Sequence, residues 1–485
     1  MLLKDESTRC LHCLEAPCTQ SCPKGKDPAR GIMAIRMHNR DLAGMFFSQA
    51  ECADCDAPCQ KACLHPDRPI DIRRIAMEIS PVANKACPDF SNLEITFLGV
   101  QCENPFFLAS SVIASNYDMI SRAFDMGWAG AAYKTISKER ICEVSPRYDQ
   151  IGKGSTSFVG FRNMEQLSEN SPETDFEIIR KLKKNYPRKV IIASIMGNSP
   201  EQWQELAIEA EQAGADIIEC NFSCPHMEAH GMGSDIGQRP DLVALYTKAV
   251  KDVVKIPVMT KMTPNITHIE EPALASFRSG ADAIAAINTI KSITMHEEAE
   301  VSNQGTISGY SGRAVKPIAQ RMILDMKQQK ELREVPMSGM GGIESWHDAY
   351  EFLSIGCSTV QVCTSVMQYG YRIIDDLRLG LSNYLASRGV GVKDIIGENI
   401  DKFVHPDSLD RKTYVLPKFD HQKCIGCGRC FLSCQDAGHQ AIIFDSVSRQ
   451  PRLDVRKCVG CLLCRLICPN EAIGISPRMK KKEQN

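Results

Sequence analysis

The chain contains no apolar run long enough to cross a membrane, so no membrane association is expected. Neither sign of charge prevails. Lys and Arg number 57 and Asp and Glu 59, a formal net charge of -2, which gives no basic surface for a nucleic acid. The opening MLLKDESTRC lacks an apolar segment and a small-residue cleavage site, so a secretory signal is not expected and a cytoplasmic setting is. No G-x-G-x-x-G follows a strand pattern and opens a helix. FAD and NAD(P)H are therefore expected on another chain. The length, 485 residues, exceeds one ordinary hydrophobic core and predicts two or three domains.

Cysteine is what the chain has in excess. Sixteen of its 23 cysteines form four runs of four, two runs near each end. In a reducing cytosol such runs point to metal rather than disulfides. Cys424, Cys427, Cys430 and Cys434 read C-x-x-C-x-x-C-x-x-x-C, and Cys458, Cys461, Cys464 and Cys468 repeat this before Pro469. That is the spacing of a two-cluster bacterial ferredoxin, in which the fourth cysteine of each run serves the other cluster. Cys468 is expected to join the first trio and Cys434 the second. The head runs, Cys10, Cys13, Cys18, Cys22 and Cys52, Cys55, Cys59, Cys63, are spaced less regularly. Two further [4Fe–4S] clusters are expected there, four in all; thiolate quartets also suit zinc. Cys87, Cys102, Cys142, Cys220 and Cys357 read as inert packing residues.

Between the cysteine modules the rhythm changes. Short apolar runs at 106–109, 129–135, 190–196, 216–221, 258–262, 283–288, 336–339 and 359–363 alternate with helical patterns. Glycines 127, 214, 280 and 356 end helical patterns just before strands, as left-handed C-caps do. Helix, glycine and strand in repetition predict an α/β fold, a (β/α)8 TIM barrel, with a doubly wound open sheet as the alternative. The expected organisation is an α-helical iron–sulfur domain over 1–85, the barrel over 90–387, a connecting segment over 388–418 and a two-cluster ferredoxin-like domain over 419–485.

Barrel active sites form at the C-terminal ends of strands. There the sequence places Lys134-Thr135, the run NFSCP from Asn221, Lys261, Asn288-Thr289, the glycine-rich SGMGG from Ser338 and QVCTS from Gln361. Glycine-rich backbone suits a phosphate, and two buried lysines suit the charge of a reduced flavin mononucleotide. Three asparagines can each donate and accept, as the edge of a flat heterocycle with alternating N–H and C=O groups requires. The thiol of Cys224 can supply and regain a proton near neutral pH. HMEAHGMGSDIGQ, beyond Cys224, reads as a lid over the mouth.

NFSCP, KT, TKMTPN and GGI together resemble the dihydroorotate dehydrogenase superfamily. NFSCPHM, GMGSDIGQ, AAINT and SGYSGRAVKP resemble, within it, the catalytic subunit of bacterial dihydropyrimidine dehydrogenases, from about residue 90 onward. The resemblance implies flavin contacts at Ser110, Lys134, Thr135, Lys261, Gly312, Gly341, Gly342, Cys363 and Thr364. It implies pyrimidine contacts at Asn163, Asn221, Ser223, Asn288 and Thr289, with Cys224 as acid–base group. The head resembles the iron–sulfur domain of dihydropyrimidine dehydrogenase and of the glutamate synthase small subunit. That implies Cys10, Cys13, Cys18 and Cys63 on one cluster and Cys22, Cys55 and Cys59 on the other. Where mammalian relatives carry a glutamine ligand this chain has Ala76, and Cys52 is the substitute. Expected partners are a pyrimidine, an FAD- and NAD(P)H-binding subunit or another electron donor, and further copies in a homodimer or hetero-oligomer. Dihydroorotate as substrate, or a catalytically idle electron relay, are the competing readings.

Overall fold

The computed structural model describes residues 3–79, 89–150, 159–224, 232–293 and 307–481. Its centre is a closed barrel of eight parallel strands. They are β1 (Phe106–Leu108), β2 (Gly130–Ala132), β3 (Val190–Ile195), β4 (Ile217–Asn221), β5 (Val258–Lys261), β6 (Ala283–Ala286), β7 (Met337–Met340) and β8 (Thr359–Val362). Seven fall within the runs expected from sequence and β7 extends one residue past its run, to Met340; each pairs with its chain neighbours, β8 closing on β1. Every residue of the eight strands is buried, because helices cover the outer face and side chains fill the inside.

The helices start where local chemistry tells them to. Ser171 and Ser199 accept backbone N–H bonds from Thr174 and Gln202, each with proline at the first helical position. Ser345 and Asp348 form a reciprocal capping box. The four glycines preceding strands have φ between 87 and 110°, the left-handed region in which a Cβ would be strained. Trp128, Trp203, Phe106, Phe107, Phe176 and Phe222 are fully buried between layers. Each large apolar side chain so buried contributes roughly 1.5–3 kcal/mol.

One element was not anticipated. The loops after β2 and β6 form a four-stranded antiparallel sheet, in the order Ile290–Ser292, Ser308–Ser311, Phe161–Asn163, Tyr148–Gln150. Its strands are three or four residues long, too short to show a period of two.

Ser7–Lys402 form one compact unit; Phe403–Asn485 with Met1–Glu6 form the other. In the first, short head helices gather around Ile32, Ile35, Ile72 and Ile75. The head is bonded to the barrel's outer helices: Asn39 donates to the Asp376 carbonyl at 2.8 Å and Trp346 Nε1 to the His38 carbonyl at 3.3 Å. Gly380 lies at this contact, where a Cβ would meet Trp346 at 2.1 Å. In the second unit, Pro417–Phe419 pairs with Ile473–Ile475 and Ile442–Asp445 with Gln450–Leu453, flanking the helices Arg429–Ala437 and Leu463–Leu466. Among the described residues no helix is long and apolar enough to cross a membrane.

Candidate functional site

The C-terminal rim of the barrel opens into a cavity of about 1080 Å³, counted out to its mouth. Strand register brings its residues level. Asn221 on β4 lies opposite Lys261 on β5, and Met340 on β7 opposite Gln361 on β8. Fourteen of the fifteen residues expected in the barrel site line this one cavity; Ser223 is fully buried just behind the wall.

The amides and hydroxyls are linked. Asn221 Oδ1 accepts from Ser223 Oγ at 2.8 Å, and Asn221 Nδ2 donates to Thr135 Oγ1 at 2.9 Å. Asn288 Nδ2 donates to Ser223 Oγ at 2.8 Å. Thr135 is also 3.2 Å from Ser110 and 3.0 Å from Ser194. Asn163, at the end of its mouth strand, donates to Ser311 Oγ at 3.1 Å. These bonds fix the amide orientations before any ligand arrives. Cys224 follows β4 by three residues, is 5% exposed and lines the same cavity. The segment 225–231, which holds the first six residues of the expected lid with His226 and His230 among them, lies outside the described residues.

Each cavity lysine already has an anion. Lys134 Nζ is 2.8 Å from Glu165 and 3.3 Å from Glu143. Lys261 Nζ is 3.5 Å from Glu219, which is fully buried and also accepts from Ser194 Oγ at 3.0 Å and Gln361 Nε2 at 3.2 Å. Burial opposes the charge of Glu165, but Lys134, Tyr148 and Arg147 outweigh it and hold the carboxyl below its usual range. Sequence reasoning missed all three glutamates, since each lies at least nine residues from its lysine in the chain.

Across the cavity the backbone is bare. Gly312, Gly341 and Gly342 have φ of 113, 121 and 80°; a Cβ on Gly342 would meet the Gly312 carbonyl at 2.9 Å. Arg313, Glu344 and Thr364 stand beside them. Burial pushes the Glu344 carboxyl up to about 7, and its Oε1 finds no hydrogen-bond partner among the described residues. Cys363 donates to Ser111 Oγ at 3.2 Å, with its thiol pushed up by burial.

The cysteine runs close into rings. Cys424, Cys427, Cys430 and Cys468 line one cavity of about 390 Å³, and Cys434, Cys458, Cys461 and Cys464 another of about 370 Å³. Each cavity thus takes three cysteines from one run and the fourth from the other. The crossing thiols are held alike: Cys434 accepts the Ala441 N–H and Cys468 the Ala472 N–H, each at 3.3 Å. In the head, Cys10, Cys13, Cys18 and Cys63 line a cavity of about 400 Å³, and Cys63 accepts the Ile70 N–H at 3.4 Å. Burial pushes the Cys59 thiol up to about 11, and the neighbouring Cys22, Cys18 and Cys55 add to the shift. Cys52 sits on the helix Gln49–Ala53, its carbonyl accepting the Cys55 N–H at 3.4 Å. Of the cysteines expected to pack, Cys102, Cys220 and Cys357 are buried, Cys87 lies outside the described residues, and Cys142 is exposed. Cys142 is thus a correction: it follows β2 in the mouth loops, where no core forms around it.

Residues 92–385 match the dihydroorotate dehydrogenase family and residues 418–475 the 4Fe-4S dicluster domain. The NAD-dependent dihydropyrimidine dehydrogenase subunit PreA of Escherichia coli is 50% identical over 367 residues, 74% of this chain and 89% of that one. The chloroplastic dihydropyrimidine dehydrogenase (NADP(+)) of Arabidopsis thaliana is 36% identical, covering 76% of this chain and 89% of its own. The catalytic subunit of dihydroorotate dehydrogenase B (NAD(+)) from Pyrococcus abyssi is 38% identical, covering 63% of this chain and 98% of its own. A crystal structure of the Eimeria tenella dihydroorotate dehydrogenase shares the fold, with a TM-score of 0.53 at 19% identity, over 65% of this chain and 91% of that one. The chain belongs to the dihydroorotate dehydrogenase family, among its dihydropyrimidine dehydrogenase subunits, and joins that oxidoreductase barrel to a 4Fe-4S dicluster domain.

Proposed function

We propose that the chain is the catalytic subunit of a dihydropyrimidine dehydrogenase. It interconverts uracil or thymine and the 5,6-dihydropyrimidine, with electrons arriving from a partner flavoprotein that uses NAD(P)H. The observation that carries this reading is a preset group of amides lining one cavity with a buried thiol, Cys224, and with lysines already neutralised. Such a site suits an uncharged ring with N–H donors and C=O acceptors. Dihydroorotate would bring a carboxylate. Among the described residues, the only cations lining the cavity are Lys134, Lys261 and Arg313. Two are paired, and the third stands at the glycine cradle.

The residues present fit FMN. Bare backbone at Gly341 and Gly342, with Arg313 beside it, suits a phosphate. Lys134 and Lys261 would stand near the ring system, and Ser110, Thr135, Gly312, Cys363 and Thr364 would complete its envelope. The cysteine rings fit [4Fe–4S] clusters, four in the chain. Among the described residues no three His, Cys, Asp or Glu side chains converge on a single-ion site; the thiols surround voids instead. When bound, these groups supply hydride chemistry at the flavin and one-electron transfer at the clusters.

The chain's own residues then do three things. Asn163, Asn221 and Asn288, with Ser223 and Thr289, orient the pyrimidine plane. The Cys224 thiol gives its proton to C5 during reduction and takes it back during oxidation. The buried wall keeps water from the reacting carbons.

The test is anaerobic mixing of holoenzyme with dihydrouracil. Flavin bleaching is expected with dihydrouracil and not with dihydroorotate, and Cys224→Ala should lower turnover about 10²–10⁴-fold. Bleaching by dihydroorotate alone, or Cys224→Ala turning over within a factor of two of wild type, would sink the reading. The second result would instead favour an electron relay.

A further inference from the structure

Two residues beyond Asn163, the wall of the cavity carries a carboxylate. Both oxygens of Glu165 are engaged: Oε2 with Lys134 at 2.8 Å, Oε1 with Arg147 at 3.2 Å and the Tyr148 hydroxyl at 2.8 Å. These bonds lock one rotamer. Glu143, its side chain 1% exposed, adds a second anion to Lys134 at 3.3 Å, and its other oxygen has no hydrogen-bond partner among the described residues. Arg147 in turn meets Glu169 at 3.5 Å. Two cations thus face three carboxylates, a surplus of negative charge beside the amide proposed to hold the ring.

We infer that Glu165 is the residue that sets substrate charge, admitting neutral pyrimidines and excluding those with a carboxylate on C6. The inference rests on the pyrimidine reading above. Exclusion works twice over. Glu165 engages the ammonium of Lys134, which could otherwise pair with an incoming carboxylate. Its own charge also repels an anion in a wall shielded from water, where like charges are poorly screened. A site rejects one relative of its substrate most strongly by opposing charge with charge. The side chain that does so lines the cavity, whereas Glu143 does not. Glu165 therefore acts on the ligand directly, and Glu143 acts through Lys134.

The experiment compares the dissociation constants of uracil and orotate, its 6-carboxylate, on oxidised holoenzyme, read from perturbation of the flavin absorbance. Wild type is expected to favour uracil at least tenfold, about 1.4 kcal/mol. Glu165→Gln keeps the shape and a carbonyl oxygen that can still accept from Arg147 and Tyr148, but it loses the bond from Lys134 and removes the charge. It should narrow the ratio at least tenfold, chiefly through tighter orotate. Glu143→Gln should narrow it in the same direction by less, and it carries the test if Glu165→Gln fails to retain flavin. An unchanged ratio in the variants that retain flavin overturns the inference, as does a wild type that holds orotate as tightly as uracil. In both cases uracil binding would leave the pyrimidine reading standing. A wild type that binds neither ligand removes that reading, and the inference with it.

Discussion

Lys261→Met should destabilise the barrel, and the effect should be reversed by a second substitution that does nothing for catalysis. Lys261 and Glu219 form a pair at 3.5 Å with side chains 4% and 0% exposed. With the ammonium gone, Glu219 keeps only neutral donors, Ser194 Oγ at 3.0 Å and Gln361 Nε2 at 3.2 Å. Removing one partner of a buried pair costs about 3–5 kcal/mol, because the remaining charge stays desolvated. At roughly 2–4 °C per kcal/mol for a domain approaching this size, the unfolding midpoint should fall on the order of 10 °C. Fluorescence is a direct probe, since Trp128 and Trp203 are fully buried in the barrel. Lys261→Met with Glu219→Gln leaves no bare charge, and the carboxamide introduced by the second substitution can accept from Gln361 through its oxygen and donate to the Ser194 hydroxyl through its nitrogen. The pair should therefore couple by about 2–3 kcal/mol, and the double variant should recover most of the lost stability. Turnover should not recover, since the ammonium proposed to stand by the flavin is absent from both. A double variant no more stable than Lys261→Met would refute the argument that an orphaned Glu219 is the source of the loss.

Gly342→Ala places a Cβ 2.9 Å from the Gly312 carbonyl at a φ of 80°, so flavin retention after ultrafiltration should fall at least tenfold; full retention would show that the cradle does not hold the phosphate. Cys468→Ser should disrupt the cluster of Cys424, Cys427 and Cys430 and spare the other ring, removing about four irons per chain and one set of cluster signals by electron paramagnetic resonance. Signal lost from the Cys458 ring instead would reject the crossed assignment. Glu344 has its carboxyl raised from 4.5 to about 7 by burial. The folded state therefore holds this proton longer than the unfolded chain, and its stabilising contribution, complete below the unfolded value, is lost as pH rises through about 7. At about 1.36 kcal/mol per unit the change is about 3 kcal/mol, so the melting point should decline from about pH 4.5 to about pH 7 and level off above it, and Glu344→Gln should flatten that decline.

The barrel was legible because its signals are local. Each strand is a short apolar run, and the glycines before β2, β4, β6 and β8 mark where helices stop. The exchange between the two cysteine runs was legible in their spacing: the fourth cysteine of each run, Cys434 or Cys468, lines the cavity of the other run's trio. The mouth sheet was not legible, since strands of three or four residues have too few side chains to show alternation. The glutamates were hidden for a different reason. Glu219 alternates into the barrel interior from the middle of an apolar strand, and only closure of the barrel brings Lys261 and Gln361 to it. Glu143 and Glu165 look like surface charges until the loop after β2 folds back over Lys134.

This division between strand ends and loops bears on how one barrel serves two substrate classes. Asn221, Lys261 and Asn288 stand at or just beyond strand ends, where backbone register fixes them to the closed sheet. Altering any of them disturbs the barrel. Asn163 and Glu165 come from the loop after β2, tied into place by antiparallel pairing with Ser308–Ser311 and by ion pairs with Lys134 and Arg147. Replacing a loop residue perturbs no barrel strand. The residues proposed to serve the reaction are therefore held by the closed sheet, while the side chain inferred to set the charge admitted at C6 stands on a separate and more replaceable element. On this argument a variant in which the Lys134 ammonium is less fully paired, Glu165→Gln first, gains affinity for a carboxylate while the residues held at the strand ends keep their places.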